Sequence, residues 1–195
     1  MDKKNEKVIA KYLSGKDAEY MYETCEETPG TCPVCNNRLE DVINMSYKIR
    51  KKKGDLFYTY DLFCIVTETF KRFCEENNYP DLTFIQITAS PGFYYFMPEG
   101  IFKVDDVRSK VKFMNKRECC GSYDEIICSR PFYKSPDFIL QTDDFILRTN
   151  HRFGSFQMKT QLVIIGLKTM RKMQDYGIKG IYFHNVYAVS YTHLT

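Results

Sequence analysis

Two stretches of this chain decide how it is read. The first is Phe63-Cys-Ile-Val-Thr-Glu-Thr-Phe-Lys-Arg-Phe-Cys-Glu-Glu-Asn-Asn-Tyr-Pro-Asp-Leu-Thr-Phe-Ile-Gln-Ile87. The second is Gln161-Leu-Val-Ile-Ile-Gly-Leu-Lys-Thr-Met-Arg-Lys-Met-Gln-Asp-Tyr-Gly-Ile-Lys-Gly-Ile-Tyr-Phe-His-Asn-Val186. With Thr69 set on Thr169, Phe70 falls on Met170, Lys71 on Arg171, Arg72 on Lys172 and Phe73 on Met173. With one residue of slack at the turn, Tyr79, Leu82, Phe84 and Ile87 fall on Ile178, Ile181, Phe183 and Val186. Each stretch reads as a short apolar run, an amphipathic helix, a breaker and a strand.

The helices follow from spacing. Val66, Phe70 and Phe73 lie at i, i+4 and i+7, as do Val163, Leu167 and Met170, with Met173 widening the second apolar face. Each helix is expected to stop where a left-handed residue is tolerated, at Asn77-Asn78 in one and Gly177 in the other, with Pro80 reinforcing the first stop. The strands that follow are rich in aromatic and β-branched residues, which suit a half-buried pleated surface. The expected fold class is therefore α+β with mixed sheets, in which two similar strand-helix-strand modules pack as one compact unit. The halves run over about 25–105 and 106–187.

The rest of the chain is read outward from these two stretches. Residues 1–24 suggest a short helix or a loose strand. Val42–Ile49 and Leu56–Tyr60 suggest strands joined by a Lys51-Lys52-Lys53-Gly54-Asp55 turn. Ser90 to Val104 reads as a hairpin turning at Pro98-Glu99-Gly100, and Lys110–Met114 as a half-exposed strand. Asp137-Phe-Ile-Leu140 and Asp144-Phe-Ile-Leu147 suggest two further short strands. The terminal Val189-Ser-Tyr-Thr-His-Leu-Thr195 breaks the preceding pattern and resembles a translated sequencing-adapter read-through, so the natural terminus is expected to differ.

Composition narrows the class. A chain of 195 residues that is 44% hydrophobic can bury a real core. A net charge of +3 is too small to argue for nucleic acid by itself. The charged start, Met1-Asp-Lys-Lys-Asn-Glu-Lys7, lacks the apolar run of a signal peptide, and the Leu162–Leu167 run is far too short to span a bilayer. A soluble, cytoplasmic protein is expected. In such a reducing compartment eight cysteines read as buried thiols or a metal site rather than disulfides.

The strongest chemical signal is Cys32-Pro-Val-Cys35, a knuckle-shaped turn whose two thiolates can converge on one cation. Structural zinc requires four ligands. Candidates for the rest are Cys25 nearby and the loop cysteines Cys119, Cys120 and Cys128, where Gly121 gives the chain freedom to turn. The set expected is Cys32, Cys35, Cys120 and Cys128 around a structural zinc ion; the alternative is a turn of reduced, empty thiols. A thioredoxin-type role would need the pair at a helix N-terminus after a core strand, and the acidic Pro-Gly loop before it argues against that.

Other polar features carry less. Lysines 51–53 and the basic run Arg108, Lys110, Lys112, Lys116 and Arg117 can contact phosphates or an acidic protein, or simply keep strand edges soluble. There is no HExxH, GxSxG, Walker or dinucleotide signature. His151 and His184 read as structural, and no enzyme is expected.

Taken together, the early CxxC, Ser90-Pro-Gly-Phe-Tyr-Tyr-Phe-Met-Pro98, Val104-Asp-Asp-Val-Arg-Ser109, the later cysteine-glycine loop and the closing Tyr176-Gly-Ile-Lys-Gly-Ile-Tyr-Phe-His-Asn-Val186 resemble bacterial polymorphic-toxin immunity proteins. The resemblance, over about residues 30–187, is to immunity protein families 43 and 11 and the related double-CxxCG proteins. Arg117 stands where a second CxxC would begin, a departure that bears on the metal. The resemblance implies a non-enzymatic protein that neutralises a cognate protein toxin by covering it, with neither membrane nor nucleic acid as partner. Tight, selective pairing rests on a few aromatic and charged anchors. Tyr94, Phe96, Lys51, Lys52 and Lys53 are the partner-binding candidates. The competing reading is a zinc-knuckle nucleic-acid-binding protein with basic hairpins.

Overall fold

The computed structural model describes residues 6–22, 28–50, 54–129 and 132–189. The predicted helices are present as α1 (Glu68–Glu76) and α2 (Leu167–Tyr176). Phe70, Phe73 and Cys74 form the buried stripe of α1, which ends at Asn77 with Asn78 left-handed at φ 55°. Helix α2 ends on Gly177 at φ 84°, the left-handed position a glycine takes without steric cost. At its start, Gly166 lies so close to the backbone carbonyl of Asp143 that any Cβ would collide with it.

Each helix joins two strands. Helix α1 connects β3 (Cys64–Thr67) to β4 (Leu82–Gln86), and both pair antiparallel with β5 (Phe93–Pro98), which lies between them. Strand β2 (Leu56–Tyr58) completes this sheet in the order β2-β3-β5-β4. Helix α2 connects β11 (Met158–Gly166) to β12 (Ile181–Val189), and both pair antiparallel with β1 (Glu6–Gly15). That second sheet is larger and curled. It also takes in β6 (Ile101–Phe102), β7 (Val111–Lys116), β8 (Tyr123–Cys128), β9 (Phe132–Tyr133) and β10 (Ile146–Ser155). Its path is β7-β8-β10-β11-β1-β12-β9, with β6 parallel to β10. The fold is thus mixed α+β, mostly sheet with two helices among the described residues.

One apolar cluster draws on both sheets and both helices. Leu13, Ile146, Val163 and Ile165 of the curled sheet meet Val66 and Phe96 of the smaller one, with Phe70, Phe73 and Met173 from the helices.

Several local expectations are corrected. The N-terminal segment is a ten-residue strand near the middle of the large sheet. Its apolar residues serve two clusters, Ala10 and Tyr12 in one and Leu13 in the other. With both faces covered, the alternation that marks a half-exposed strand is blurred. Val42–Ile49 is not a strand. Its backbone bonds outside any strand ladder, the Tyr47 amide donating to the Asn44 carbonyl in a turn (3.0 Å) and the Ile49 amide to Ser90 Oγ across 41 positions (2.8 Å). The Pro98–Gly100 turn does not close a hairpin: β5 stays in the small sheet while β6 crosses to pair with β10. Residues 137–140 are not a strand: they follow a turn over 135–138, closed by the Phe138 amide donating to the Ser135 carbonyl and held by the Lys134 ammonium, which donates to the Ser135 and Phe138 carbonyls. Lys51–Lys53, Cys25 and the 190–195 tail lie outside the described residues.

Candidate metal centre

The Cys32–Cys35 segment is a tight turn closed on itself. The Cys32 amide donates to the Asn37 carbonyl and the Asn36 amide to the Cys32 carbonyl, both at 2.8 Å. Asn36 takes the left-handed conformation at φ 56°, a position glycine often fills and asparagine tolerates. The tip of the β7–β8 hairpin faces this turn. There the Arg117 amide donates to the Ser122 carbonyl and the Gly121 amide to the Arg117 carbonyl, both at 2.7 Å, with Gly121 at φ 71°.

These two turns bring four thiols together. The Sγ atoms of Cys32, Cys35, Cys119 and Cys120 all lie within 4.8 Å of one another. Cys32 sits 3.7 Å from Cys119, and Cys35 3.6 Å from Cys120. A tetrahedral zinc site with Zn–S of about 2.3 Å has sulfurs about 3.8 Å apart, so the cluster has the size such an ion requires. Cys32 is buried, Cys35 and Cys120 are half-buried and Cys119 is exposed.

Cys128, expected as the fourth ligand, is not there. It is paired with Val111 at the far end of the hairpin, and its thiol donates to the Ser109 carbonyl at 3.1 Å. Five residues of strand beyond Tyr123 carry it about 17 Å from the tip. Cys119 takes its place. The adjacent Cys119-Cys120-Gly121 was visible in sequence, but choosing between Cys119 and Cys128 required the strand phase of β8.

The surroundings match a negatively charged thiolate cluster. Asn37, fully buried, donates from Nδ2 to Cys35 Sγ (3.2 Å) and to Asp124 Oδ1 (2.9 Å). Lys159, 1% exposed, donates from Nζ to Asn37 Oδ1 (2.6 Å), Ser122 Oγ (3.2 Å) and the Tyr123 carbonyl. Arg117 grips Asp124 with two contacts, Nη2–Oδ2 at 2.6 Å and Nε–Oδ1 at 2.7 Å. Burial would raise the Cys35 thiol, but the Asn37 backbone and side-chain donors outweigh it, helped by Cys32 and Cys120, and bring it down to about 6. Desolvation and the hydrogen bonds it shares with Cys35, Cys32 and Cys120 push the Cys119 thiol up to about 12. One sulfur is thus readied as a thiolate, the form in which it would ligate a divalent cation. None of Asn37, Asp124 or Lys159 stands out in sequence, because the bonds that join Asn37 to Asp124 and to Lys159 span 87 and 122 positions.

The knuckle is anchored behind by Arg38. Its guanidinium is buried over the Phe63 ring (4.1 Å) and donates to the Asp61 carbonyl at 2.6 Å. Arg152 and Tyr95 hold Asp41, each at 2.8 Å, on the same side.

The expected partner anchors fare differently. Phe96 is fully buried, packed 5.1 Å from Phe70 and 5.0 Å from Phe84, so it is core and no surface anchor. The aromatic run on β5 has both faces covered, Tyr94 and Phe96 toward α1, Phe93 and Tyr95 toward a second cluster. Tyr94 is half-buried; its hydroxyl donates to Glu68, and the Lys71 ammonium lies 5.4 Å above its ring. His151 pairs with Asp106 at 2.9 Å. His184 meets Ser14 Oγ at 2.7 Å and stacks on Tyr12.

The chain matches no known family model. No curated protein matches it either. Among the described residues, no helix is long and apolar enough to cross a membrane.

Proposed function

We propose that this chain is a non-catalytic binding protein that neutralises a cognate bacterial toxin by covering it, and that its four-thiol centre holds a structural zinc ion. The observation that carries the binding-protein reading is the closed ligand set. Cys32, Cys35, Cys119 and Cys120 would fill all four positions of a tetrahedral ion, leaving none for a substrate. Bound there, zinc would supply a cross-link between the knuckle and the β7–β8 tip. Asn37 would orient Cys35, and Lys159 would offset the charge of the thiolates.

The identity of the partner rests on the resemblance of Ser90–Pro98, Val104–Ser109 and Tyr176–Val186 to immunity proteins. The same reading takes the chain as one compact cytoplasmic unit of two similar halves. In its support, each helix connects two strands that flank a third, antiparallel one.

The test is growth of a bacterium expressing the reading frame adjacent to this one, with and without this chain. Killing by the neighbour alone and restored growth on co-expression is the expected result. A harmless neighbour, or killing that this chain does not relieve, would overturn the reading.

A further inference from the structure

The four thiols meet as two pairs, each running between the knuckle and the tip of the β7–β8 hairpin. Cys32 Sγ lies 3.7 Å from Cys119 Sγ, and Cys35 Sγ 3.6 Å from Cys120 Sγ. Bonds that need no metal hold the two turns in this position. Asn37 of the knuckle donates to Asp124 (2.9 Å), and the Lys159 ammonium donates both to Asn37 Oδ1 and to Ser122 Oγ of the tip. Cys119 is exposed to small solutes, whereas Cys64 and Cys74 are sealed in the core, 0% and 1% exposed. Cys128 stands at the far end of the hairpin, its thiol on the Ser109 and Ser129 carbonyls.

We propose that the four-thiol centre is an oxidation site, which hydroperoxides convert to two disulfides, Cys32–Cys119 and Cys35–Cys120, that take over the cross-link when zinc leaves. Four thiols allow three pairings. The pairing within turns fails at the tip, because neighbouring residues stand about 3.8 Å apart at Cα, short of the roughly 4.4–6.8 Å that a disulfide spans. Full oxidation therefore links knuckle to tip. Of the two ways of doing so, the thiol contacts select Cys32 with Cys119 and Cys35 with Cys120.

Each disulfide consumes two thiols and one hydroperoxide. One sulfur attacks the terminal peroxide oxygen, the O–O bond breaks, and the thiol proton leaves with the departing alcohol, or water when the oxidant is hydrogen peroxide. The facing sulfur then attacks the resulting S–OH, the S–S bond forms, and the hydroxide leaves as water with the second thiol proton. Two sulfurs lose two electrons and the peroxide gains them. A disulfide sulfur is no thiolate, so the oxidised centre would not hold zinc. Both bridges join the same two turns, so the tip stays fastened to the knuckle. A Cys32–Cys35 bridge alone would set it free.

Zinc release rests on the zinc reading, the pairing on the thiol contacts, and one experiment separates them. The zinc-loaded full chain is treated with two equivalents of hydrogen peroxide, and freed metal is read with a chromophoric chelator. Remaining thiols are then alkylated, and the chain is digested with trypsin for mass analysis without reductant. Expected are one equivalent of zinc released and a joined species of peptides 17–38 and 118–134, with Cys25 and Cys128 alkylated and the rest bridged. Dithiothreitol should reverse both, and the oxidised chain should melt at one temperature with and without chelator. Fragmentation of the joined species assigns the pairing without any variant. As a second measurement, C32S/C119S and C35S/C120S each keep one facing pair and should join the peptides faster than C32S/C120S. A Cys32–Cys35 bridge with both tip cysteines alkylated, a bridge to Cys25, sulfinic acid at Cys119 in place of disulfides, or no oxidation would overturn the proposal and leave the zinc site standing. Fragments placing Cys32 with Cys120, or equal rates in the three variants, would overturn the pairing. Joined peptides from a chain that never held zinc would overturn the zinc reading and support the bridges.

Discussion

The four-thiol centre makes a quantitative claim about stability, and replacing Cys119 with serine tests it. A metal held by Cys32 and Cys119 closes a loop spanning 87 positions of sequence. In the chain-entropy treatment of cross-links, a loop of that length is worth about 4.6 kcal/mol. The figure is a ceiling, since unfolded chains are already partly compact and an unfolded CxxC keeps some affinity for metal. For a chain of this size each kcal/mol moves the melting temperature by about 2–4 °C, so stripping the metal should lower Tm by up to about 9–18 °C.

The assay is thermal unfolding with one equivalent of zinc and with excess chelator, on wild type, Cys119→Ser and Cys128→Ser. Wild type should show the full chelator-dependent drop. Cys119→Ser keeps three thiols, so it should bind zinc more weakly and lose most of that dependence. Cys128→Ser should keep it whole, since the Cys128 thiol lies at the far end of the hairpin and makes weak hydrogen bonds to the Ser109 and Ser129 carbonyls rather than to the cluster. Wild type melting at the same temperature with and without chelator would refute the cross-link. A chelator response lost in Cys128→Ser but kept in Cys119→Ser would refute the ligand assignment.

Three further outcomes are expected elsewhere in the molecule. Asp144 accepts from Tyr79 (2.7 Å) and Thr169 (3.1 Å) and pairs with Lys172 (2.7 Å) and Lys168 (3.3 Å). Burial would raise its carboxyl, but Lys172, Tyr79, Thr169 and Lys168 outweigh it and hold it at about 2, below the usual 3.8. Because the folded-state value is depressed, its contribution is present above about pH 4 and is lost as pH falls toward 2. Allowing for its partial exposure this is about 1–2 kcal/mol, and Asp144→Asn should flatten that part of the pH–stability curve in urea unfolding. Phe96→Ala should cost about 3–5 kcal/mol in chemical denaturation, as expected for a fully buried ring between Phe70 and Phe84. Lys159→Met leaves Asn37 Oδ1 and the Tyr123 carbonyl without their buried donor, and zinc affinity measured against a chromophoric chelator should fall about 10–100-fold.

What was legible in the sequence was local. The helices α1 and α2, their stops at Asn77 and Gly177, and the strands after them follow from periodicity and from the few residues that tolerate left-handed backbone. The Cys32–Cys35 turn was legible for the same reason, since its spacing and following asparagines fix its shape over five residues. Tertiary structure alone decided everything that depends on which strand lies beside which. Strand β1 acquires its place between β11 and β12 by pairing across more than 150 residues, and its two-sided burial erases the alternation that would have announced it. The crossing of β6 to β10, the burial of Phe96, and the choice of Cys119 over Cys128 are of the same kind. A strand's period of two says that successive side chains point to opposite faces, but not what covers either face. Likewise, the spacing of cysteines says which can turn toward one another, while the register of β7 on β8 decides which two arrive at Cys32 and Cys35.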